Sequence, residues 1–126
     1  RDILMVKDRV SMSDHQLVIV PELFIDQPVN LAAILTMTYS VILELIQEQT
    51  TVRLLYWSTN RYEYEDVRID YKEELDAAFA RLYYEKAYKN PSEAADHMAL
   101  VHPEMHAYLH VFSDGQGAQM QVRENE

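Results

Sequence analysis

The sequence predicts an α/β fold: a three-layer sandwich on a mixed, mostly parallel sheet with one antiparallel hairpin. Three observations predict it. Leu17-Val18-Ile19-Val20 is an apolar run without polar alternation, the pattern of a strand covered on both faces. Asn30 to Gln49 follows as a long, widely apolar helix, and Thr51 to Trp57 returns as a strand. The connection Thr59-Asn60-Arg61 between strands Val52 to Ser58 and Tyr62 to Ile69 is too short for a crossover, so those two pair as a hairpin.

Taken in order, Ile3 to Val10 reads as a strand, and Lys7-Asp8-Arg9 suits an edge position. Ser11 to His15 is a polar turn before Leu17 to Val20. Pro21 ends that strand or sits at a bulge, because it has no N–H to donate to a ladder. Pro28 precedes the long helix and Asn30 is its expected cap. Leu31, Ala32, Ile34, Leu35, Tyr39, Ile42, Leu45 and Ile46 spread around most of that helix, leaving a narrow polar stripe of Thr36, Ser40, Glu44 and Glu48. A helix so widely apolar needs cover on more than one side.

Tyr62 and Tyr64 alternate with Glu63 and Glu65, so the second hairpin strand has one wet face. Leu75, Ala78, Phe79, Leu82 and Tyr83 mark an amphipathic helix over Tyr71 to Tyr88. Asn90-Pro91 starts a third helix, which ends before His102-Pro103. Ala107 to Ser113 is a strand terminated by Asp114-Gly115, and 116–126 is a polar tail with at most one short strand. Residues 1–126 thus form one domain in the order β, β, α, β, β, α, α, β.

Composition bounds the chemistry. With 126 residues, 48% of them apolar, the chain is globular and long enough for a core. It has no cysteine, which removes disulfides, thiolate metal sites and thiol nucleophiles and suits a cytoplasmic domain. A formal net charge of −10 argues against nucleic acid and anionic membranes as partners. Between Glu63 and Asp76 seven acids face only Arg68 and Lys72, a solvated face or an acidic docking surface for a basic partner. The chain opens on Arg1, as a segment of a longer protein would. Gln27 to Leu43 lacks charge but is shorter than a usual span, so any membrane anchor of the parent is expected outside this segment.

The loop Pro21-Glu22-Leu23-Phe24-Ile25-Asp26 falls at the carboxyl end of a parallel strand, where open α/β sheets keep their sites. Glu22 and Asp26 offer a carboxylate pair, but nothing else in the sequence defines a substrate cleft. His97, His102, His106 and His110 are close in sequence, yet Pro103 prevents a shared helix face for zinc. Glycine only at 115 and 117 excludes a phosphate-binding loop, and Ser113-Asp114-Gly115 is not a nucleophile elbow. The nine tyrosines and Trp57 serve sheet and core packing, with Tyr62, Tyr64, Tyr83, Tyr84 and Tyr88 as candidate interface anchors.

Three pieces carry a family resemblance: Arg1-Asp2-Ile3-Leu4-Met5-Val6-Lys7-Asp8, Leu17 to Asp26 with its following helix, and His110-Val111-Phe112-Ser113-Asp114-Gly115. Together they resemble the von Willebrand factor A-like fold, and most of all family 58 of the bacterial domains of unknown function. Metal-binding members of that fold carry Asp-x-Ser-x-Ser after the central strand, a set of hard oxygen donors for Mg²⁺. At the matching positions stand Glu22, Phe24 and Asp26, and Asp114 matches a later acidic position. The acids remain and the hydroxyls are gone. No metal or cofactor is therefore expected, and Glu22, Asp26 and Asp114 are the residues that would hold Mg²⁺ or Ca²⁺ if one bound.

The resemblance implies a non-enzymatic protein-interaction domain with a degenerate metal site, working with a MoxR-type AAA+ ATPase. Glu22, Phe24, Asp26, Asp114 and Gln116 are the expected partner-binding residues. Two other readings stand beside it. One is a metal-dependent ligand-binding domain or hydrolase using Glu22, Asp26 and Asp114; the other is a self-association module that forms a homodimer. A-like domains continue past the Asp-Gly strand, so one sheet edge and part of the long helix are expected to be uncovered here.

Overall fold

A computed structural model describes residues 16–23, 28–58, 61, 63–83, 107–113 and 117–124. Its elements are β1 (Gln16–Pro21), α1 (Pro28–Gln47), β2 (Thr51–Ser58), β3 (Glu63–Ile69), α2 (Lys72–Leu82), β4 (Ala107–Ser113) and β5 (Ala118–Glu124). The strands form one mixed sheet in the order β3-β2-β1-β4-β5. β1 lies at its centre, parallel to β2 on one side and to β4 on the other. β3 and β5 are each antiparallel to their neighbour. The expectation of one hairpin thus becomes two antiparallel pairs, because the polar tail supplies a full strand at Ala118–Glu124.

β1 is buried on both faces, as its unalternating apolar pattern requires. Pro21 is its last residue, and the ladder continues past the missing donor through the Glu22 N–H, which donates to the Val111 carbonyl at 2.7 Å. α1 begins at Pro28, two residues earlier than the expected cap; a proline at the first helical position loses only an N–H that has no intrahelical partner. Ile34, Leu35, Val41, Ile42 and Leu45 are its buried stripe. Thr38, also buried, satisfies its hydroxyl on the Ile34 carbonyl at 2.7 Å. The helix closes with Gln49 at φ 64° and the Thr50 N–H on the Leu45 carbonyl at 3.0 Å.

α2 starts where Glu74 turns its carboxylate back to accept from the Asp70 N–H at 2.8 Å and the Tyr71 N–H at 3.1 Å. Two acids in the first turn and Arg81 in the last complement the helix dipole. Leu75, Ala78, Phe79 and Leu82 are its buried face, the spacing read from the sequence. The expected continuation to Tyr88, the third helix between Asn90 and His102, and the strand Ile3 to Val10 lie outside the described residues.

Both described helices lie on the same face of the sheet. Tyr39 of α1 meets Phe79 of α2 edge-on at 5.3 Å, and its hydroxyl donates to Asp76 at 2.6 Å. Beneath them one core joins Leu17, Ile19, Val52, Leu54, Ile69, Leu109 and Val111 to the buried sides of α1 and α2. On the opposite face Val18, Val20 and Leu55 form a smaller buried cluster with Tyr64 and Tyr108. The described elements therefore make two layers, a sheet and one layer of helices. Among the described residues no helix is long and apolar enough to cross a membrane.

Candidate functional site

Because β1 and β4 are adjacent and parallel, their carboxyl ends emerge side by side. Pro21 pairs with Val111, so the chain leaving β1 at Glu22 runs beside the last residues of β4. Of the residues expected there, Glu22 is described; Phe24, Asp26, Asp114 and Gln116 lie outside the described residues.

Glu22 sits half-buried with its carboxylate Oε2 3.4 Å from His110 Nε2. Behind it, His110 Nδ1 accepts a hydrogen bond from Arg123 Nε at 3.2 Å. With Nδ1 accepting from Arg123, Nε2 is the ring N–H turned toward the carboxylate. The imidazole stacks on Phe112 at 5.1 Å and 22°, and the Arg123 guanidinium lies 5.6 Å over the same ring. The result is a chain of Glu22, His110 and Arg123 across β1, β4 and β5, backed by aromatic rings.

Strand parity builds this chain. Tyr108, His110 and Phe112 alternate with the core residues Leu109 and Val111, so they project from the face away from the helices. His110 pairs with Gln121 in the β4–β5 ladder, and Tyr108 with Arg123. Tyr108 also closes over the small cluster of Val18, Val20 and Leu55 from one side, with Tyr64 on the other. Burial pushes the Tyr64 phenol well above its ordinary value, with the Glu22 charge as the next cause. Burial also raises Tyr108, where Arg123 pulls the other way. Two phenols that burial holds protonated thus lie on the same face of the sheet as Glu22.

The association of Glu22 with His110, Arg123, Tyr64 and Tyr108 was not legible in the sequence. Two readings together point to it: a parallel neighbour for β1 and period-two alternation along 107–113. Of the four clustered histidines only His110 is described, and it faces a carboxylate and an arginine. No group of three or more metal-ligating side chains exists among the described residues.

The acidic stretch from Glu63 to Asp76 is partly offset by nearby cations. Asp66 is bound by Arg53, and Arg61 reaches Glu63 at 3.1 Å and Glu65 at 2.9 Å. Asp70 takes Thr51 and, at 3.0 Å, Arg68; Asp76 takes Lys72 at 2.8 Å and Tyr39. Glu74 is spent on the start of α2. Such pairs contribute little stability at an exposed surface, and four cations against seven acids leave the stretch negative.

No family model, no curated protein and no solved structure matches this chain.

Proposed function

We propose that this chain is a non-enzymatic protein-interaction domain whose contact surface lies at the carboxyl ends of β1 and β4 and whose metal site has degenerated. The observation that carries this reading is the Glu22–His110–Arg123 chain. The carboxylate that would be the first metal ligand faces an imidazole proton, and Phe24 stands where a hydroxyl ligand would be needed. A half-buried carboxylate and imidazole with an exposed guanidinium beside tyrosine rings are groups suited to hydrogen-bonding and stacking with a protein partner.

The finer reading is a three-layer, von Willebrand A-like sandwich with β1 as its central strand. On this reading it is a cytoplasmic domain of a bacterial protein, with any membrane anchor outside this segment, and its partner is a MoxR-type AAA+ ATPase. Support for the fold is the central, doubly buried β1 with parallel neighbours; support for the partner is the sequence resemblance alone.

The test is a melting titration with Mg²⁺ and with Ca²⁺. An ion at ten times its Kd adds about 1.4 kcal/mol to native stability, a rise of roughly 5 °C in a chain of this size. No shift is expected with either ion up to millimolar concentration. A rise that Asp114→Ala abolishes would overturn the degenerate-site reading and favour a metal-dependent ligand-binding domain or hydrolase.

A further inference from the structure

The sheet face away from the helices holds the smaller buried cluster. Val18 is 1%, Val20 5% and Leu55 1% exposed. Tyr64 and Tyr108 are the described hydrophobic side chains packed against them, and both belong to flanking strands, β3 beside β2 and β4 beside β1. Side chains stand roughly upright from a sheet, so neighbours of this kind shield the sides of the cluster and leave its tips open. Burial nevertheless leads the causes that raise the Tyr64 and Tyr108 phenols. Apolar side chains so fully shielded need a layer above them, and both described helices lie on the other face.

We propose that the connection between α2 and β4, residues 84–106, passes over this face and is its cover. The direction of each element requires a long return. α2 starts with Lys72 beside Leu43 and Ile46 of α1 and continues to Phe79 beside Tyr39, so it runs antiparallel to α1. α1 descends from the carboxyl end of β1 to the amino end of β2, and α2 therefore climbs back toward the carboxyl ends. β4 is parallel to β1 and starts at the amino end, so the connection descends the height of the sheet. The helix side offers no free sheet surface for that descent, because α1 packs on β1, β2, β4 and β5 and α2 packs on β3. Handedness selects the same route. β2 and β4 lie on opposite sides of β1. Parallel crossovers are right-handed in about 98% of cases. With α1 on one face between β1 and β2, a right-handed return toward β4 runs over the other face.

The connection exceeds the roughly dozen residues that such a crossover takes. Its sequence also suits a cover: Ala94, Ala95, Met98 and Val101 fall at i, i+1, i+4 and i+7, with Asp96 outside that stripe. A cover here closes the β1–β2 part of the face to any partner. Gln121 and Arg123 of β5 stay exposed, so partner contact is confined to the strand ends and that edge.

The test is a distance measurement between paired nitroxide labels on the whole chain, which has no cysteine of its own. Asp96→Cys is paired with Gln121→Cys, opposite His110 in the β4–β5 ladder, and in a second protein with Ala77→Cys on the exposed side of α2. The distance to residue 121 is expected to be the shorter by at least about 10 Å, one layer spacing. The reverse order would place the connection outside the helices and overturn the proposal. A second measurement reads the cover itself. Met98→Glu is expected to speed alkylation of a Val18→Cys thiol by more than about tenfold, while a Leu109→Cys thiol on the helix side stays protected. A Val18→Cys thiol that stays protected would assign the cover to another segment and overturn the proposal, as would equal speeding of the two thiols. The inference deepens the three-layer reading and is independent of the metal site, so these distances and the Mg²⁺ titration fail separately.

Discussion

Gln49→Gly is expected to stabilise the protein, although it deletes an entire side chain. Gln49 has a φ of 64°, and no other described non-glycine residue has a positive φ. The conformation is imposed by the end of α1, where the N–H groups of Gln49 and Thr50 close on the carbonyls of Ile46 and Leu45, both at 3.0 Å. In that region the Cβ of an L-residue crowds the following carbonyl, at a cost of about 1–2 kcal/mol. Glycine removes the crowding but gives the unfolded chain more freedom, which returns roughly 0.5–1 kcal/mol. Gln49 is exposed, so no burial is lost with its side chain. The balance is a gain of about 0.5–1 kcal/mol, or roughly 2–4 °C in melting temperature for a chain of this length. Urea unfolding with an unchanged m-value checks that the gain belongs to the native state. Gln49→Val, β-branched in the same conformation, is expected to lose about 1 kcal/mol or more. A glycine variant no more stable than the parent, or a valine variant equal to it, would refute the argument from backbone strain.

Ile42→Ala removes a fully buried side chain from the contact between α1 and the sheet and is expected to cost about 2–5 kcal/mol by urea unfolding. The Thr51 hydroxyl, and then Arg68, hold the Asp70 carboxyl below its ordinary 3.8. That contribution is complete above 3.8 and is lost as pH falls through the lower folded value, so Thr51→Val moves the loss to higher pH. An NMR titration of the Asp70 carboxyl reads this directly. Glu22→Gln removes one of the causes that raise the Tyr64 phenol, which is then expected to ionise at lower pH. Alkaline tyrosinate absorbance, compared with a Tyr64→Phe reference, measures the change.

The elements legible in the sequence are those whose burial is one-dimensional. β1 is read from four apolar residues because a strand covered on both faces has no alternation to hide. α2 is read from Leu75, Ala78, Phe79 and Leu82 because one helix face meets the core. β5 was missed as a full strand because Gln119, Gln121 and Arg123 alternate with only Ala118, Met120 and Val122, a mild contrast within a polar tail. Pairing is a different kind of information. Leu17 to Val20 declares itself a central strand, but nothing in those residues says that His110 will lie beside Val20. The partners within the acidic stretch were hidden for the same reason, since Arg53 and Arg61 reach its carboxylates only through the β2–β3 hairpin.

The length of residue 22 bears on the site in two opposite ways. Read as a metal ligand, glutamate is one methylene too long for a position that suits aspartate. Read in the structure, that methylene lets the carboxylate fold back to His110 Nε2, a distance of 3.4 Å, while its own backbone is fixed on Val111. Glu22→Asp shortens the side chain by one bond of about 1.5 Å and draws the carboxylate away from the imidazole, 3.4 Å from it in the parent. The charge at residue 22 is retained, so an effect on His110 reports lost contact and not lost charge. The expected outcome is a His110 ring whose Nε2 proton exchanges faster by NMR, with no gain in stability from added Mg²⁺. A shorter carboxylate that restored ion binding would show that the extra methylene alone had closed the metal site. Unchanged exchange at His110 would show that the Glu22 carboxylate does not hold the ring.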